Sequence, residues 1–274
     1  MTLHVARHPW LARGLRACGA ALLVIAGALA GLAGAQSSSP AGEPKSAKTR
    51  VLEAGAKLMQ GSAPPARLDI HLVGFHPMKE EPHHQMEAHH FCRQVNEDFA
   101  QCVLFDGSGP EARLNGVEFI ISERLFATLP PEEQRYWHPH NGEILSGQLV
   151  APGLPAAAEK ELMKQKMNSY GKTWHVWNTG EAGDGGDRLP LGPAKLAWSF
   201  NRDGELKPHL LQQRDRRLEI DSAQKRRQRS DLTSLARPQA GVDALREAFP
   251  GAREIPGVVD RSARIPGTAA PASR

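Results

Sequence analysis

The sequence is poor in the short motifs that announce an enzyme. It has no G-x-S-x-G, no H-E-x-x-H, no C-x-x-C and no EF-hand loop. That removes the nucleophile elbow, the zincin helix, the paired-cysteine zinc or redox site and the calcium hand. "YGKTWHVW" contains Gly171-Lys172-Thr173 but lacks the earlier glycine of a phosphate-binding loop, and no dinucleotide fingerprint surrounds "GDGG" at 183–186. Acids are plentiful, yet no pair stands out for acid–base work. Cysteine is scarce, only Cys18, Cys92 and Cys102, and there is no internal repeat.

The ends of the chain read as processing and linker segments. Residues 1–35 carry Arg7, Arg13 and Arg16 with no acid, then the apolar run "AALLVIAGALAGLAGA" and the small-residue exit Ala33-Gly34-Ala35. This is the pattern of a signal peptide cleaved near Ala35, so the chain is expected to be exported, periplasmic or secreted. Removing three arginines leaves 31 basic against 30 acidic residues. The whole-chain pI of 9.1 therefore does not indicate a nucleic-acid partner. The basic run "KRRQRS" at 225–230 is expected to be the solvated face of a short helix. Residues 36–50 read as a flexible leader and 261–274 as a flexible tail. Between them, 51–260 is long enough for one substantial domain.

Within that domain the patterning is mixed. "LDIHLVGF" (68–75), "QCVLFD", "ARLNGVEFIIS", "EILSGQLVAP" (143–152), "KTWHVWN" (172–178) and "AKLAWSF" (194–200) read as strands. "VLEAGAKLMQ" (51–60), two pieces of 122–137 broken at Pro130-Pro131, and 156–171 stopping at Gly171 read as helices. So does 84–99, where Phe91, Val95 and Phe99 fall four apart. Helices are also expected near 221–230 and 241–248. Short turns between strands favour antiparallel pairing. The expected class is α+β, a single domain with an antiparallel sheet of about five or six strands and packed helices.

Ten histidines lie between 71 and 209. "WHPHNGE" offers His138 and His140 as a His-x-His pair with Glu143 nearby, and "EAHHFC" offers His89, His90 and Cys92. His89, His90, His138, His140 and Glu143 are the candidate ligands for a divalent transition metal such as zinc. Against this stand Pro139, which suits a tight turn, and the ease with which His90 would pack as a core residue. Cys92 and Cys102, the two cysteines left after cleavage, suit one disulfide in an exported chain; the alternative is a pair of buried thiols.

"HLVGFH", "EAHHFC", "EDFAQCVLFD", "ARLNGVEFIISERLFATLPPEEQRYWHPHNGE", "SGQLVAPG", "YGKTWHVW" and "LPLGPAKL" together resemble the oil-body-associated protein family of plants, fungi and bacteria, also known as a domain of unknown function. The resemblance runs from about 57 to about 260. It implies no established catalysis; its plant members associate with lipid storage droplets. With its signal peptide this chain is similar to an exported bacterial member, which would not meet cytosolic droplets. The resemblance implies a non-enzymatic module bound peripherally to lipid or another hydrophobic surface. The competing expectation, from the histidines, is a metal-binding protein or metal-dependent hydrolase. Cysteines at both positions in plant members of a reducing cytosol favour thiol packing or metal there, without excluding oxidation here.

Overall fold

The computed structural model describes residues 44–60, 65–180 and 185–261; the expected signal peptide lies outside them, as does the expected tail beyond Arg261. The fold is α+β, as patterned. Its centre is an antiparallel sheet built from β1 (Ile70–Met78), β2 (Glu81–Asn96), β3 (Phe99–Phe105), β4 (Leu114–Ile121), β5 (His138–Pro139), β6 (Tyr170–His175) and β7 (Lys195–Leu196), in the order β1-β2-β3-β4-β6-β5, with β7 also on β6. The sheet curls on itself. Beyond β7, Ala197 bridges to Met78 of β1, and Trp198 donates its backbone N–H to Pro77. One face of the curl thus becomes an interior.

Register decides what fills that interior. Direct cross-strand partners share a face, so Ile70, Cys92, Cys102, Glu118 and Thr173 form one inward row, and Leu72, His90, Leu104, Gly116 and His175 the next. Cys92 and Cys102 are opposite one another with Cα atoms 4.0 Å apart and form the expected disulfide. A glycine is required at 116, where a Cβ would sit 2.6 Å from the Trp174 carbonyl oxygen. β4 is inverted in polarity: Glu118 is buried while Val117 and Phe119 are 36% and 39% exposed.

The helices before and around the sheet are α1 (Ala47–Met59), α2 (Glu123–Phe126), α3 (Pro131–Gln134), α4 (Asn141–Leu145), α5 (Ala156–Lys166), α6 (Pro208–Leu218) and α7 (Ser222–Gln228). Ser122 caps α2 through its side chain, and Pro131 opens α3, as the broken 122–137 pattern implies. α1 begins four residues before the expected leader ends.

Several expectations are corrected. Residues 84–99 are not a helix but most of β2 and the start of β3. Both faces of β2 are covered near 85–90, so polar side chains paired on either side erase the alternation that marks a half-buried strand. The supposed seam disperses: Phe91 stacks on His71, Val95 is exposed, and Phe99 stacks on Phe119. The 143–152 strand is α4 followed by a single bridge, Val150 to Val73. α5 ends at Lys166 with Met167 as its C-cap, and Asn168 at φ 67° makes the turn; Gly171 lies inside β6. Residues 241–248 form turns, and α6 appears where no helix was expected.

The basic run falls on the expected short helix, α7, but only part of it is solvated: Arg227 is exposed, the other basic side chains are held. Arg229 is buried and donates to the Ile144 and Leu149 carbonyls. Arg226 pairs with Asp203 and Lys225 with Glu159. Arg214, also buried, donates to the Gln148 carbonyl and to Ser222. These guanidinium groups hold the segment that follows α4 and thereby fix the backbone carrying His140 and Glu143.

Candidate metal centre

Glu118 stands at the middle of a closed group of imidazoles. His90 Nε2 is 2.9 Å from Glu118 Oε2; His140 Nε2 and His138 Nε2 are 3.3 and 3.5 Å from Oε1. His76 and Glu143 complete the set: His76, Glu118 and His138 bring donor atoms within 4.8 Å of one another, as do His138, His140 and Glu143. All six residues are buried. Four of the expected ligands, His90, His138, His140 and Glu143, therefore converge.

His89 does not. It occupies the other face of β2, where its Nδ1 meets His71 Nε2 at 3.1 Å and its Nε2 meets Glu87 Oε1 at 3.1 Å. Glu87 in turn pairs with Arg217 of α6. Adjacent residues on a strand point to opposite faces, so a His-His pair in β2 can supply only one ligand. Glu118, His76 and His175 are the residues missed. A buried acid inside "GVEFII" was the available signal for Glu118, since an unpaired carboxylate has no reason to sit between apolar neighbours.

The tautomers follow from the outer hydrogen bonds. His90 Nδ1 lies 3.1 Å from the Ala88 carbonyl oxygen, which only accepts, so Nδ1 carries the proton. Ser169 Oγ donates to the Lys166 carbonyl at 2.7 Å and so accepts from His140 Nδ1 at 2.8 Å. His175 donates Nδ1–H to the Asn115 carbonyl and accepts, at Nε2, from His76 Nδ1 at 3.0 Å. His76, His90 and His140 are thus left with bare Nε2 lone pairs, two of them aimed at Glu118. His138 makes no hydrogen bond through either ring nitrogen.

Lone pairs directed at a carboxylate repel unless a positive charge lies between them. Burial disfavours imidazolium at two of these rings: it lowers His138 to about 4 and takes His76 well below its ordinary value. Burial alone would raise the Glu118 carboxyl; N–H donors or positive charge on the imidazole side hold it well below the usual range. Burial, then the Glu118 charge, pushes Glu143 well above it. A divalent cation between Glu118 and the imidazoles facing it would satisfy those lone pairs and the carboxylate together. Donors about 2.0–2.2 Å from one ion stand roughly 3 Å from each other, the spacing seen around Glu118.

Gly171 makes the cluster possible. A Cβ on Gly171 would press on Glu118 Oε1 and fall 2.6 and 2.7 Å from His138 Nε2 and His140 Nε2. Any other residue would displace three donor atoms. His138 itself sits in register with Gly171, and β5 is held by Ser199 Oγ, which donates to the Pro139 carbonyl at 2.6 Å.

The family model for a protein of unknown function, DUF1264, matches residues 62–233. The chain belongs to this family. It is 37% identical to oil body-associated protein 1A of Zea mays over 207 residues, 76% of this chain and 84% of that protein. It is 40% identical to oil body-associated protein 2A of Arabidopsis thaliana over 178 residues, 64% of this chain and 70% of that one. No solved structure matches. The family match spans β1–β6 and every residue of the Glu118 cluster.

Proposed function

We propose that this member of the oil-body-associated family binds one divalent first-row transition metal inside its curled sheet, with Glu118, His90, His138 and His140 as principal ligands and His76 and Glu143 within reach. The observation that carries the reading is the tautomer pattern: outer partners fix Nδ1–H on His76, His90 and His140 and leave Nε2 lone pairs around one carboxylate. This is how outer hydrogen bonds orient metal-ligating imidazoles. With Cys92 and Cys102 in a disulfide, the donors gathered at Glu118 are nitrogen and oxygen, which suits Zn²⁺, Fe²⁺ or Mn²⁺. Elemental analysis of the purified chain, before and after metal reconstitution, tests it. About one metal per chain is expected, with loss in Glu118→Gln; well under one, with no gain on reconstitution, contradicts it.

A second, compatible reading is peripheral contact with a lipid surface, which the names of the relatives support. The outer face of the sheet exposes Leu114, Val117, Phe119 and Val176. Phe91, Val103 and Phe105 line an apolar groove of about 450 Å³ beside them. On α1, Val51, Leu52, Leu58 and Met59 share one helical face and are 62–88% exposed. Among the described residues no helix is long and apolar enough to cross a membrane, so such contact would be interfacial. Flotation with neutral and anionic liposomes tests it: co-migration that is lost in Leu58→Glu/Phe119→Glu is expected, and protein left wholly in the aqueous layer counts against it.

A further inference from the structure

We propose that the metal at this centre takes a small exogenous ligand, water or a small monoanion, in a cavity closed by Lys166; the proposal rests on the metal reading above. Beside the donors lies a cavity of about 10 Å³, room for about one water-sized group. Its polar walls are His76, His90, Glu118, His140, Glu143 and Lys166, and the rest is apolar. His138 is not among its walls, so the space lies on a side of the cluster that this imidazole does not occupy. An ion held by the protein donors would have a coordination position facing the cavity, as metals that bind an exogenous ligand do.

The walls select what enters. Leu72, Ile120 and Leu149 offer no hydrogen bond, so a ligand there is met by the metal and by the polar walls, Lys166, Glu143 and His76. Lys166 is half-buried at the end of α5, and its Nζ is held by Gln94 Oε1 at 2.5 Å. It also lines, with Ile120, an outer cleft of about 70 Å³. Lys166 therefore separates solvent from the donors, and swinging away from Gln94 would open the route.

The outer cleft carries acids as well. Asp98 is paired with Arg124, and Glu123 with Arg237 and Arg261; burial lowers the Lys166 pKa, against which Glu118 and then Glu97 favour its charged form. The ammonium is placed to attract a small anion through the mouth and to stabilise it once bound. Ser169, which fixes the His140 tautomer, also borders this cleft, so the entry route and the ligand set share a wall. A cavity of this size admits one water-sized group at the metal, such as water, hydroxide or fluoride, and excludes larger ones.

The test uses the full chain loaded with Co²⁺, whose visible bands report coordination, and fluoride as the probe. Fluoride is expected to shift the bands with saturation. Lys166→Met is expected to weaken fluoride at least tenfold with cobalt stoichiometry and far-UV circular dichroism unchanged, while Lys166→Arg stays within about threefold of the parent. Bands that ignore fluoride, or equal fluoride affinity in Lys166→Met, overturn the proposal while leaving the metal reading intact. A parent chain that binds no cobalt overturns both.

Discussion

At the scale of single residues, the cluster depends on a glycine as much as on its ligands. Gly171→Ala places a methyl against Glu118, His138 and His140, so metal binding is expected to fall at least a hundredfold; isothermal titration with Zn²⁺ checks it. Glu205 carries a separate pH dependence. Burial raises its carboxyl to about 7 from 4.5, although its Oε2 accepts from the backbone N–H groups of Asn201 and Arg202. Between those values the folded chain holds a proton that the unfolded chain has released. Stability therefore falls as pH rises through that window and levels off above it, by up to about 3 kcal/mol. Glu205→Gln keeps the backbone acceptor and is expected to shrink the difference in urea stability between pH 5 and pH 8; an unchanged difference contradicts the assignment. Legibility at this scale followed spacing: His138 and His140 were readable as a pair, whereas His90 could not be told from His89 without knowing that "EAHHFC" is a strand. Glu118 was hidden because its partners arrive from β2, β5 and the turn after it.

At the scale of elements, the disulfide and the buried arginines hold the strands that carry the ligands. Cys92 is two residues from His90 on the same face, and Cys102 is the register partner of Glu118. Replacing both by serine opens a short loop, a sequence separation of 10. Roughly 2–3 kcal/mol of stability is expected to be lost, read from chemical denaturation. Arg229→Met leaves Glu159 without its 3.2 Å partner and the Leu149 carbonyl without its donor; a loss of about 3 kcal/mol or more is expected by the same measurement. The elements with one exposed face, β3 and β4, were legible because burial alternates along them. β2 was not, because α6 and the segment before it cover its second face with Gln85, Glu87 and His89 in hydrogen bonds. The 143–152 segment was read as extended because its residues are apolar, but Arg214 and Arg229 from 60 to 90 residues away draw its carbonyls into a turn. Long-range ligation of backbone leaves no local pattern.

At the scale of the whole molecule, the sheet is a container that faces two ways. Its interior collects imidazoles and carboxylates, and its outer face shows Phe119, Val117 and Leu114 to solvent, the reverse of the usual distribution. The α+β class and the antiparallel pairing were legible in the order of the elements. The curl was not, since it rests on Ala197 meeting Met78 across more than a hundred residues. Metal should stabilise this container as a unit: a ligand at a thousand times its Kd adds about 4 kcal/mol, which in a chain of this size raises Tm by roughly 8–16 °C. The most direct measurement is X-ray absorption at the metal edge of the loaded chain. The expected spectrum has a nitrogen and oxygen shell near about 2.0–2.2 Å, with the outer-shell scattering of about three imidazoles and no sulfur. A spectrum without imidazole scattering, or with a sulfur shell near about 2.3 Å, contradicts the Glu118–histidine centre.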